Sequence, residues 1–155
     1  LDGLFFRESR VRFRDIIDGT SNTAAFSERL VTDGNNGVSS PRSDVYLGNT
    51  NPATSDDAIR DCAAIDVTNL ANQFPIFMGA PWMNGQHCYL HVDVPNRRSC
   101  GFFPTKATMP ASSQHVGGVH TLLADGSCRF VSDNIDVHVW RAVGTRDGGE
   151  TIGEF

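Results

Sequence analysis

Residues 112–136 read SSQHVGGVHTLLADGSCRFVSDNID and hold many of the side chains that could do chemistry. His115 and His120 offer imidazoles, Ser113 a hydroxyl, Cys128 a thiol, and Asp133, Asn134 and Asp136 a run of oxygen ligands. A second oxygen-rich run, DGTSNT, sets Asp18, Thr20 and Asn22 at alternate positions. His115, His120 and His138 are scattered, with no H-E-x-x-H and no carboxylate at ligand spacing on a shared helix, so a zinc or iron site needs a coincidence of folding. No serine lies in a G-x-S-x-G elbow, and Ser113 beside His115 does not by itself specify a hydrolase. The two oxygen-rich runs suit calcium, yet neither completes an EF-hand, which needs a glutamate at its twelfth position; a capped turn is the competing assignment for both. Gly117 and Gly118 precede a strand pattern and not a helix, so they form no phosphate loop.

Those residues must be positioned by local structure. VHTLLADGSCRFVS contains two β-rich runs joined at Asp125 and Gly126, and a two-residue type I′ hairpin turn is expected there. That register sets Leu123 opposite Cys128 and Thr121 opposite Phe130, with Leu122 and Arg129 on the other face. His115 would then lead into the hairpin, its ring satisfied by a backbone carbonyl or by Asp125. Beyond the hairpin, Asp136 is placed to cap a short helix, VHVWRAV, that stops at Gly144.

Upstream, residues 3–16 alternate around Val11, Phe13 and several arginines and read as one or two strands with a basic wet face. AAFSERLV, residues 24–31, reads as a buried strand, and residues 32–54 as loop except around Val45, Tyr46 and Leu47. Ser55 precedes DDAIRDCAA, whose acidic first turn and stripe of Ala58, Ile59, Cys62 and Ala63 predict a helix carrying Cys62 into the core. Residues 72–110 read as a long structured loop with short strands.

The chain has 155 residues and a formal net charge of −5, which predicts a single domain (residues 1–155) and makes nucleic acid a poor partner. No apolar run approaches the ~20 residues of a membrane-spanning helix, and nothing resembles a signal peptide. The chain starts at Leu1 without an initiator Met, so a processed product or a fragment is expected. Its four cysteines, Cys62, Cys88, Cys100 and Cys128, are widely and irregularly spaced, which suits disulfides in an exported protein better than a zinc site.

Four ordered motifs carry a family resemblance. Nine residues separate His115 from Asp125 and Gly126, DIIDGTSNT occupies residues 15–23, PWMNG and VPNRRSC fall within residues 81–100, and GGE closes at Gly148, Gly149 and Glu150. Together they resemble the planctomycete-type pilin-like family, whose members carry a prepilin cleavage and methylation signal at the N-terminus and an H-x9-D-G signature near the C-terminus. The resemblance covers only the C-terminal, sheet-rich part of such proteins, and brings no enzymatic activity with it. In that pattern cysteines are usual near Cys62 and at Cys100, whereas Cys88 and Cys128 are extra. The resemblance therefore implies the pairs Cys62–Cys100 and Cys88–Cys128, each closing a loop worth roughly 4 kcal/mol.

The fold expected is α+β: a sheet-dominated pilin-like head with a C-terminal hairpin, one or two short helices and long disulfide-fixed loops. The function expected is a non-enzymatic subunit of an exported filament or envelope assembly, without a required cofactor and with calcium kept as the candidate ion. Its partners would be copies of itself or other pilin-like subunits, and it would meet a membrane only through an N-terminal helix ahead of Leu1. The competing reading is an extracellular module that binds a glycan, a protein or calcium through Trp82, His87, Tyr89 and His91.

Overall fold

The computed structural model describes residues 2–6, 8–74, 88–150, 152, 153 and 155. Along the chain lie β1 (Ala24–Ser27), β2 (Val45–Gly48), α1 (Ser55–Ala63), β3 (Gln73–Phe74), β4 (Ser99–Phe102), β5 (Lys106–Thr108), β6 (Gly118–Leu123), β7 (Cys128–Ser132) and α2 (Val137–Val143). The fold is α+β. One sheet has the order β1-β6-β7 and is antiparallel; the other has the order β3-β2-β4-β5, with β2 and β4 parallel.

Each helix covers one sheet. Asp136 caps α2 as its sequence requires, its carboxylate accepting the N–H groups of His138 and Val139. The helix then buries Trp140 against Val119, Val131 and Ala111, and Val143 against Ala24 and Leu123. It ends at Gly144, where a Cβ would press on the His91 ring. His91 Nδ1 donates to the Trp140 carbonyl at 3.0 Å, satisfying one of the orphan acceptors of the last turn.

Helix α1 starts one residue earlier than its sequence implied, with Thr54 rather than Ser55 as cap and Asp57 completing a capping box. Ala58 and Cys62 face Tyr46, Cys100 and Phe102 of the second sheet. At its C-terminus the Arg98 guanidinium donates to the carbonyls of Cys62, Ala63 and Ile65. The Cys62–Cys100 disulfide ties this helix to β4.

Three expectations need correction. The hairpin is not a two-residue turn. Gly126 has φ of 88° but Asp125 is not in the left-handed region; Gly126 donates to the Leu123 carbonyl and Leu123 to that of Ser127. This is a type I turn closed by a glycine bulge, a three-residue connection that moves the register by one. Leu122 therefore pairs with Cys128, Thr121 with Arg129 and His120 with Phe130. Val119, Thr121 and Leu123 point into the core, while His120 and Leu122 point outward with Cys128 and Phe130.

The same slip explains the second correction: Cys88 and Cys128 are free, exposed thiols, not a disulfide. Cys128 is on the outer face of the sheet, whereas the residue after Cys88, Tyr89, packs with Val119, Val131 and Trp140 on the inner face.

The third concerns residues 3–16, whose described residues form no strand. Their one regular turn is a 3-10 turn at Phe13–Asp15, closed by the Asp15 carboxylate on the Arg12 N–H. The segment's start docks on Arg146 instead, which donates to the carbonyls of Asp2 and Gly3. Alternation marked side chains that are wet on one side, but the backbone found no strand edge. β1 likewise is an edge strand covered on one face only, and Phe26 is 57% exposed where a buried strand was expected. Among the described residues no helix is long and apolar enough to cross a membrane.

Candidate functional site

Pairing of β1 with β6 sets Ser27 against Thr121, which brings the next residue, Glu28, alongside His120. Side chains clasp the join. Ser27 Oγ donates to the His120 carbonyl at 2.9 Å, and the His120 N–H donates to Glu28 Oε2 at 2.8 Å. The other carboxylate oxygen, Oε1, lies 3.2 Å from His115 Nε2 and 3.6 Å from His120 Nδ1. The two imidazoles meet edge to face with centroids 4.7 Å apart, and the Phe130 ring stands edge-on to His120 at 5.2 Å.

The loop that delivers His115 is fixed by Ser113. Its hydroxyl donates to the Gly118 carbonyl at 2.8 Å and accepts the His115 N–H at 3.0 Å, while Gly117 turns the chain with φ of 83°. This hydroxyl is therefore committed to the backbone and is not presented as a nucleophile. On the other side, Ser112 N–H donates to the Glu28 carbonyl, and the neighbouring Arg29 guanidinium runs inward to the Pro110 carbonyl and Ser112 Oγ. Burial pushes Arg29 down to about 10.

The three side chains remain open to water, with Glu28, His115 and His120 exposed to 34%, 52% and 44%. Burial pulls the Glu28 carboxyl upward, but the His120 N–H and the two nearby imidazoles outweigh it and hold the group below its ordinary value. Among the described residues, these three form the one group of His, Cys, Asp or Glu side chains whose ligand atoms all lie within 4.8 Å of one another. The ring of His115 thus meets the Glu28 carboxylate instead of the backbone carbonyl or Asp125 expected from the sequence. Asp125 is occupied by Ser127, whose N–H and hydroxyl both donate to its Oδ1.

Other sequence-predicted residues take structural roles. Asp18 Oδ2 accepts the Gly148 N–H at 2.9 Å and Oδ1 the Gly149 N–H at 2.8 Å, so DGTSNT and GGE are joined directly. Thr145 Oγ1 donates to the Ala142 carbonyl at 2.9 Å and lies 3.3 Å from Asp18 Oδ2 and 3.4 Å from Glu150 Oε2. Asn22 closes its own turn on the Asp18 carbonyl, and the Thr20 carbonyl accepts from Asp125 N–H. Asp136 is the α2 cap and Asp133 Oδ2 meets the Asn96 amide at 3.4 Å. Tyr89 and His91 are packed toward Trp140, with the His91 and Trp140 rings 4.1 Å apart, and do not form an outward stacking surface. Trp82 and His87 lie outside the described residues.

With this geometry in place, comparison with known families is decisive for membership. A family model described as "Protein of unknown function (DUF1559)" matches residues 1–138. The chain belongs to that family. The match takes in Glu28, His115 and His120 and stops short of Gly148, Gly149 and Glu150. No curated protein and no solved structure gives a significant match.

Sequence reasoning missed Glu28 altogether. The available signal was indirect: Glu28 continues an edge strand, and His120 falls at an outward position of the strand beside it.

Proposed function

We propose that this member of the DUF1559 family is the globular head of an exported pilin-like or pseudopilin-like subunit, a non-enzymatic building block of a filament or envelope assembly. The observation that carries the reading is the outer face of the β1-β6-β7 sheet. There Phe26, Leu122 and Phe130 are 57%, 36% and 47% exposed, and Phe5 stacks on Phe26 with centroids 5.0 Å apart. An apolar sheet face of this kind is stabilised by being covered, and a pilin-like assembly supplies the cover as an apolar helix or a neighbouring subunit. The Cys62–Cys100 disulfide suits an oxidising, extracytoplasmic setting. A net charge of −5 sets nucleic acid aside as a partner.

The test is mass spectrometry of the native protein's N-terminus together with assembly of a Phe26→Ser/Phe130→Ser variant. A methylated first residue followed by an apolar helix, with assembly lost in a variant whose head still folds, is the expected result. An ordinary signal-peptidase cut, or assembly unaffected by the double substitution, would overturn the reading.

A further inference from the structure

We propose that Glu28, His115 and His120 form a binding site for a divalent first-row transition ion, zinc being the ion that the donor set suits best. Two imidazoles and one carboxylate are a recurrent ligand set for such ions, and zinc held by them keeps a further position open. In a tetrahedral site with bonds of about 2.05 Å, neighbouring ligand atoms are about 3.3 Å apart. Glu28 Oε1 stands 3.2 Å and 3.6 Å from the two imidazole nitrogens, and all three atoms fall within 4.8 Å of one another. Bringing the two imidazole nitrogens to about 3.3 Å of one another would complete three corners of such a site.

The supporting shell is already built. Glu28 Oε2 is held by the His120 N–H, which leaves Oε1 as the ligand atom, and Ser113 fixes the turn that aims His115. Half-exposed side chains leave the remaining coordination positions to water or to a group on a partner. A single carboxylate with two nitrogen donors is a poor match for calcium or magnesium, which take oxygen cages. The site does not rest on the pilin-like reading, since it uses only residues of this head.

The experiment uses untagged, oxidised protein cleared of metal by a chelator, titrated with Zn(II) by calorimetry and with Co(II) by visible absorption. One ion per chain is expected, with a cobalt spectrum of nitrogen and oxygen ligands. His115→Ala and His120→Ala should each weaken binding by more than the ~10- to 100-fold that loss of an outer-shell partner costs. Cys88→Ser/Cys128→Ser should bind as the parent does. Circular dichroism of the metal-free variants establishes that they fold. The proposal is overturned by absence of saturable binding, by binding retained in the double histidine variant, or by a thiolate charge-transfer band in the cobalt complex. The band is read on the unmodified protein, so the test stands even where a variant misfolds.

Discussion

Reduction of the Cys62–Cys100 disulfide is the perturbation whose size follows most directly from the structure. The bond closes a loop with a sequence separation of 38 and joins α1 to the middle of the second sheet. In the chain-entropy model a loop of that length stabilises the native state by about 4 kcal/mol, a large fraction of the ~5–15 kcal/mol that holds a typical domain together. Reduction is a cleaner change than substitution to alanine. Both cysteines are buried, at 2% and 0% exposure, and reduction keeps their volume in place, so no cavity cost is added. The assay is urea unfolding of oxidised and reduced protein in a Cys88→Ser/Cys128→Ser background, which prevents exchange with the two free thiols. Far-UV circular dichroism follows the whole chain, and tryptophan fluorescence reports on Trp82 and on Trp140, buried within α2. The expected outcome is a loss of about 4 kcal/mol, or a melting temperature lower by about 10 °C. A difference below about 1 kcal/mol would refute the reasoning, because it would mean that α1 and β4 are held together in the denatured chain without the cross-link.

His91 sets a pH dependence. Burial pushes its imidazole down to about 4, against the upward effect of the Trp140 carbonyl, from an ordinary value near 6.5. The unfolded chain binds the extra proton first, so this contribution is complete above about pH 6.5 and is lost as pH falls toward 4, by up to about 3 kcal/mol. Denaturant unfolding between pH 7.5 and 4.5 should show that slope, and an equal slope in His91→Gln would reject His91 as its source. Two glycines should respond oppositely to alanine. At Gly118 a Cβ would overlap the Val131 carbonyl oxygen and force β6 from β7, costing about 1–3 kcal/mol, whereas at Gly101 nothing lies within 4 Å and Gly101→Ala should be neutral or stabilising by about 0.5 kcal/mol. Thermal melts of both variants check the pair, and a Gly118→Ala protein as stable as its parent would show that the strands can separate at no cost.

What was legible in the sequence was local or came through family resemblance. The α2 cap at Asp136 and its stop at Gly144 are decided by a few consecutive residues, and α1 misses its expected cap by one position. The α+β class followed from the same periodicities, and the Cys62–Cys100 pair from the resemblance. Residues 3–16 failed because alternation reports which side chains are wet, while a strand also needs a free edge to bond. Glu28 was invisible for a similar reason. It reaches His115 and His120 across sequence separations of 87 and 92, through a β1–β6 pairing that no local pattern announces.

The least legible feature also had the widest consequence. An Asp-Gly pair predicts a hairpin but leaves open whether one or both residues take positive φ, and that choice fixes the register. Here only Gly126 does so, and the extra loop residue sets Phe130 and Cys128 beside the outward His120 and Leu122 instead of beside Thr121 and Leu123. Three properties of the outer face then share one cause. Phe130 stands beside His120, the apolar strip of Phe26, Leu122 and Phe130 stays exposed, and Cys128 is kept from Cys88. The surface proposed for assembly and the ligand cluster at its end therefore meet on one face of the β1-β6-β7 sheet, where β6 contributes His120 and Leu122 outward while Val119, Thr121 and Leu123 fill its inner side. Change at the outward positions can alter binding or assembly while the core beneath is left as it is.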